Sequence, residues 1–312
     1  MGAIVTVILP VFGIMLAGYL AGRFRLLGDA SSEALNRFVY YVALPALFFV
    51  SLAGVPVGEV FNAPFLAAFG GGLLGTFGIV LLVGAFAFPN RLAALGLHGL
   101  CAVFSNTGYL GIPLLLITFG EAGKLPGIIS TVIMGTVVMG IGIILIETDL
   151  SQGHGPVTIL ASVGKGVAKS PLILAAAAGL SVSAVGLPLP APLATFSDLL
   201  GAAASPCALF AVGLFLAGQK VTTGLGETGW LVAVKLVLQP AITWWLAFGI
   251  LSMDQTWAAA AVVLAALPTG ILVFVLAQQY GIFVQRATAT IMVSTVVSVV
   301  TLSLLFAALG LG

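Results

Sequence analysis

Ser105-Asn106-Thr107-Gly108-Tyr109-Leu110-Gly111-Ile112-Pro113 interrupts one long apolar run, and Ala266-Leu267-Pro268-Thr269-Gly270 interrupts another. Both interruptions fall near the middle of their runs. Proline removes a backbone donor and clashes with the preceding turn, and glycine lowers the cost of leaving helical geometry. Two helices are therefore expected to break here. Inside a hydrocarbon layer the freed N–H and C=O groups cannot face lipid, so they must be buried in protein or line a wet cavity. A helix that restarts at mid-depth points unpaired N–H groups and a partial positive charge at the gap. Two such restarts, crossing, form a seat for a carboxylate without any charged side chain. Asn106, Thr107 and Thr269 would add side-chain hydrogen bonds there, with Gly108 and Gly270 beside them. Tyr109 would stack on or cap a guest, while Gly111, Pro113 and Pro268 make the breaks. Prolines and glycines also simply kink membrane helices, and it is the matched pair that favours a site.

Working outward, 61% of the 312 residues are hydrophobic and 6% are charged, whereas a soluble domain carries about 25% charged residues. So few charges cannot build a wet surface, so the outside must face lipid. At roughly 20 residues per crossing, Gly, Pro and charge clusters divide the chain into ten spans at about 3–22, 31–52, 63–88, 92–119, 126–146, 170–186, 197–218, 228–251, 256–280 and 284–310. The net charge of +1 excludes a nucleic-acid partner. Cys101 and Cys207 sit inside apolar runs as small core residues, with no metal spacing, and no cofactor is expected. The first residues fit a loose myristoylation pattern by chance and lead straight into span 1, which lacks the basic n-region of a cleaved signal.

Arg23, Arg25, Arg37, Arg91, Lys165, Lys169, Lys220 and Arg286 fall on one side of this layout. Lys124 falls on the other, with Glu59, Glu121 and Asp254. Basic loops stay cytoplasmic, so both termini lie outside and the central connection inside, as expected for a bacterial inner-membrane protein. That connection, 148–168, separates a first five-span repeat (1–147) from a second (169–312). Halves with an odd number of spans enter from opposite sides, the arrangement of inverted repeats in many secondary transporters. Pro45 and Pro206 are 161 positions apart, as are Gly120 and Gly281 at the ends of spans 4 and 9. The fold class expected is an all-α polytopic membrane protein of ten transmembrane helices, an inverted repeat with broken, crossing helices 4 and 9.

Asn106-Thr107-Gly108-Tyr109-Leu110-Gly111-Ile112-Pro113-Leu114-Leu115, followed by Phe119-Gly120, and the stretch Ala266–Gly281 resemble the auxin efflux carrier family. That family includes the plant PIN-type carriers and bacterial permeases for malate or malonate. The resemblance implies a bile acid/sodium symporter-like, sodium/proton antiporter-like fold. It implies a scaffold of helices 1, 2, 6 and 7 against which a transport unit, helices 3–5 and 8–10, moves as an elevator. It makes Asn106 the binding asparagine, and Pro113 and Pro268 the prolines of the crossings. The long hydrophilic loop of many plant members is absent. Met134 stands where plant members tend to have a polar residue, which points to a different ligand.

Other polar residues admit simpler readings. Lys235 and Gln239 share a face of span 8; Lys235 either snorkels to the cytoplasmic interface or attracts anions into the inward cavity. His98 reads as a hydrogen-bonded core residue more readily than as a proton switch. Thr290, Ser294, Ser298 and Thr301 form a hydroxyl stripe that glues helices or, less simply, lines the site. No Asp or Glu is expected at mid-membrane. The patterns of an intramembrane protease are missing, so an enzyme is not expected. The function expected is transport of a small carboxylate through a lipid bilayer, the alternative being a membrane-embedded ligand sensor without transport. Pairing of two copies through the scaffold helices is compatible with this layout.

Overall fold

The protein is described here by a computed structural model covering residues 7–88, 91–150, 156–186, 188–219 and 224–311. Among these residues every regular element is helical. In chain order they are α1 (Leu9–Arg23), α2 (Ala30–Ala53), α3 (Ala63–Ala87), α4 (Leu92–Val103), α5 (Thr107–Leu150) and α6 (Pro156–Ala168). Then come α7 (Pro171–Val185), α8 (Ala191–Ala217), α9 (Leu225–Ile250), α10 (Gln255–Ala265), α11 (Leu272–Tyr280) and α12 (Val284–Ala308). Six runs, at α2, α3, α5, α8, α9 and α12, are long and apolar enough to cross a membrane. α1, α4, α7 and α10 are apolar but shorter.

Local chemistry sets the ends. The Asn62 side chain accepts the Phe65 N–H (2.9 Å) and Pro64 sits in the first turn of α3, which satisfies one orphan donor and omits another. Asp254 caps α10 by accepting the N–H groups of Thr256 and Trp257. At Gly120 (φ 59) the chain turns within α5, a conformation that side chains resist.

The outer surface is apolar: Leu16, Phe86, Phe196, Val296 and Leu304 are all exposed. Beneath it two helix pairs meet backbone to backbone. In α1, a Cβ on Gly18 would collide with the Phe210 carbonyl of α8, and one on Gly213 of α8 with the Met15 carbonyl. In α7, a Cβ on Gly179 would meet the Phe49 carbonyl of α2 at 2.6 Å. Gly18 and Gly179 are 161 positions apart, and so are Phe49 and Phe210. Elsewhere Gly72 lets α3 press on Thr243 of α9, and Gly142 lets α5 press on Leu100 of α4.

Three expectations need correction. The central connection 148–168 is largely helical: α5 continues to Leu150 and α6 fills Pro156–Ala168. Pro156 suits a first turn, and Val157, Leu160, Val163 and Val167 recur at helical spacing. α8 begins at Ala191 rather than 197, directly after Pro190. α9 begins at Leu225 rather than 228, which brings Glu227 inside the helix. His154, Lys220 and the first six residues lie outside the described residues.

Candidate functional site

Both expected breaks are present, and they touch. α4 ends at Val103, and the chain runs extended through Phe104 before helix resumes at Thr107. α10 ends at Ala265 and α11 starts at Leu272. Between them the two loosened segments pair antiparallel. The Asn106 N–H donates to the Pro268 carbonyl (2.9 Å), and the Gly270 N–H donates to the Phe104 carbonyl (2.8 Å). Each break thus satisfies part of the backbone that the other has freed, as burial requires. Gly111 permits the crossing itself: a Cβ there would lie 2.8 Å from Leu267 and 2.9 Å from Leu264. Gly270 does the same against the Phe104 ring. Pro113 is buried in the second turn after the restart.

The C-terminal ends of α4 and α10 still expose carbonyls, and polar side chains reach them. The Thr269 hydroxyl donates to the Cys101 carbonyl (2.7 Å), and its N–H donates to Ser294 Oγ of α12 (3.1 Å). Gln239 Nε2 donates to the Val103 carbonyl (3.2 Å). Lys235 Nζ donates to the Ala265 carbonyl and to Gln239 Oε1, both at 2.7 Å. Lys235 is 0% exposed, so the snorkelling expected of it does not occur. The acceptors at the break outcompete a distant interface for its side-chain nitrogen.

The N-terminal side of the restart looks different. Asn106 is 7% exposed, and its side-chain amide has no hydrogen-bond partner among the described residues. The carbonyl of Asn106 already accepts from Leu110 and Gly111, which leaves the amides of Gly108 and Tyr109 at the open head of α5. Gly108 faces Thr131 of α5 and Leu44 of α2, at 3.2 and 3.7 Å from a built Cβ. Thr107 and Thr131 bring their hydroxyls within 3.0 Å. The Tyr109 hydroxyl donates to the Asn36 carbonyl at the start of α2 (3.4 Å). Met134 is buried one turn beyond Thr131. Asn106, Thr107, Gly108 and Tyr109 therefore gather at one opening. Thr269, Gly270 and Ser294 are fully engaged in building the crossing. Ser298 donates to Thr295 of its own helix and Thr290 to Arg286, as a packing stripe would.

One polar cluster was not foreseen. Glu227 is 7% exposed. It contacts His98 Nδ1 of α4 at 2.6 Å and Arg286 Nη1 of α12 at 3.0 Å. The buried acid was missed because span 8 was started at 228, three residues too late. His98 is the hydrogen-bonded core residue expected. Further ties join the ends of helices: the Tyr280 hydroxyl donates to Glu147 (2.6 Å), and the Ala93 N–H to Asp149 (3.2 Å).

Comparison with known proteins fits this picture. The family model described as membrane transport protein matches residues 3–306. A Rhizobium meliloti relative whose name assigns it provisionally to malonate transport is 34% identical over 97% of this chain and 95% of its own. The Escherichia coli relative, the uncharacterized transporter YfdV, is 28% identical over 94% of both chains. An uncharacterized transporter of Methanothermobacter thermautotrophicus is 28% identical over 97% of both. The match spans both broken helices and everything between them, and the chain belongs to the membrane transport protein family, the auxin efflux carrier family that its sequence resembles.

Proposed function

We propose that this membrane transporter is a secondary carrier of small carboxylates, with Asn106 as the residue that grips the carboxylate. The observation that carries the reading is the Asn106 side chain: nine-tenths buried, unpartnered, and placed at the head of a helix that restarts inside the protein. A buried polar group without a partner costs free energy, and a guest that binds it recovers that cost. The amides of Gly108 and Tyr109 and the partial positive charge of the restart favour a negative guest. Thr107 and Tyr109 shape the same opening, with Met134 deeper in α5. The malonate named for the Rhizobium relative is a carboxylate of this class.

The ten-span inverted repeat supports the same reading. In it α4 with the first arm of α5 forms span 4, and α10 with α11 forms span 9. The matched glycine–carbonyl contacts of α1 with α8 and of α7 with α2, at one offset of 161, are what a repeat would leave. Those four helices make the scaffold, and the remainder carries the crossing as a transport unit moving between two exposures. In this reading the termini lie outside a bacterial inner membrane and the central connection inside, as the one-sided distribution of basic residues favours. The sensor alternative finds no support, since the relatives are named as transporters.

Uptake of radiolabelled malonate and of acetate into proteoliposomes tests the function. Saturable, counterflow-competent flux of either is the expected result. Flux of neither, with the protein folded and oriented both ways, would refute the substrate class.

A further inference from the structure

Beyond the substrate, the crossing holds a fully buried lysine that the carboxylate reading leaves without a role. We propose that Lys235 is the built-in counter-cation of the crossing, so that anion binding by this chain requires no added cation. The inference rests on the carboxylate reading above, and deepens it by assigning the ionic requirement of the same site.

The argument starts from the helix ends. α4 and α10 both terminate inside the protein at the crossing, and each C-terminus carries about half a negative elementary charge. Left alone, these two ends would cancel the attraction that the restarting N-termini exert on an anion a few residues away. A carrier built on such a crossing needs a cation where the C-termini converge. Backbone carbonyls and a side-chain amide oxygen are hard oxygen donors, the kind that suit a small metal cation.

Here those donors are already taken by an ammonium. Lys235 Nζ is bonded to the Ala265 carbonyl at the end of α10 and to Gln239 Oε1, both at 2.7 Å. Gln239 carries the link onward, its Nε2 donating to the Val103 carbonyl at the end of α4. Lys235 and Gln239 are both 0% exposed. A widened π-helical turn, Val234–Leu238, holds Lys235 and leads directly into Gln239, and the Thr243 hydroxyl ties down the Gln239 carbonyl (2.9 Å). One lysine and one glutamine thus serve both interrupted helices. The ammonium offsets roughly the one negative charge of the two C-termini, leaving the N-terminal side, with Asn106, positive toward a guest.

The test uses the purified full-length chain and three chloride salts: sodium, potassium and choline. Binding of malonate and acetate is measured by calorimetry, and the melting temperature is recorded in parallel. For the wild type, affinities within about twofold across the salts are expected, with no stabilisation by sodium. In Lys235→Ala, anion affinity in choline should fall at least about tenfold, and sodium or methylammonium should restore part of it and raise the melting temperature. Lys235→Arg, which keeps the charge, should retain most of the affinity. A wild type that needs sodium to bind or to reach full stability overturns the proposal, even if no variant folds. So does a Lys235→Ala protein that binds as tightly as wild type in choline. If the wild type binds neither carboxylate in any salt, the substrate reading fails. The lysine proposal is then decided by melting temperature alone: it stands if cations stabilise only Lys235→Ala, and falls otherwise.

Discussion

Asn106 does little to hold the fold through its side chain, because its amide makes no hydrogen bond among the described residues, whereas Thr269 on the facing segment of the crossing is fully committed. The two residues should therefore fail in opposite ways. Asn106→Ala should weaken carboxylate binding by about 2 kcal/mol, roughly thirtyfold, the worth of a hydrogen bond to a charged group. Its melting temperature should stay near wild type; a large drop would mean that Asn106 is structural. Thr269→Val strands the buried Cys101 carbonyl, and should destabilise the protein by about 1–3 kcal/mol, with Thr269→Ser recovering most of the loss in a thermal-melt assay. Asn106, both prolines and the glycines around them were legible in the sequence, because backbone breakers inside apolar runs have few uses. The engagement of Thr269 was not, since its partner Cys101 is 168 positions away. Lys235 was misread for a similar reason: snorkelling is the default for a lysine near a span end, and only the folded crossing supplies the Ala265 carbonyl as a better partner.

Among the helices, the breaks and most boundaries followed from punctuation by Gly and Pro, while the boundary of α9 did not. Starting that helix three residues late hid Glu227, whose partners His98 and Arg286 come from α4 and α12. Glu227→Ala removes the shared acceptor and leaves a buried imidazole beside a half-exposed guanidinium. A loss of about 2 kcal/mol is expected, below the cost of breaking a fully buried pair because Arg286 still meets solvent. Glu227→Gln should lose less, and both effects should be visible as melting temperatures. The glycine contacts give a sharper test. Gly213→Leu in α8 drives a side chain into the Met15 carbonyl, and Gly179→Leu in α7 does so at Phe49. Backbone cannot yield as a rotamer can, so each should cost about 3 kcal/mol or abolish folded yield. Gly75→Leu in α3, where nothing lies within 4 Å, should be tolerated.

At the level of the molecule, the proposed carrier must alternate between two exposures of one opening. The opening borders Leu44 of α2 on one side and Gly108 on the other, with 3.7 Å between Leu44 Cδ1 and a built Cβ. In a background lacking Cys101 and Cys207, the pair Gly108→Cys and Leu44→Cys should be bridged by a short bis-methanethiosulfonate reagent, which should stop flux, and a reductant should restore it. Flux that survives complete cross-linking would place the motion elsewhere. What the sequence could not supply was which faces slide. The glycine seams of α1 with α8 and α7 with α2 answer part of that. Where two main chains interlock with no side chain between them, there is no slack for one to slip past the other, so each pair must travel, if at all, as a single plank. Any sliding is thereby confined to joints padded by flexible side chains, and the Gly108–Leu44 face is one of them.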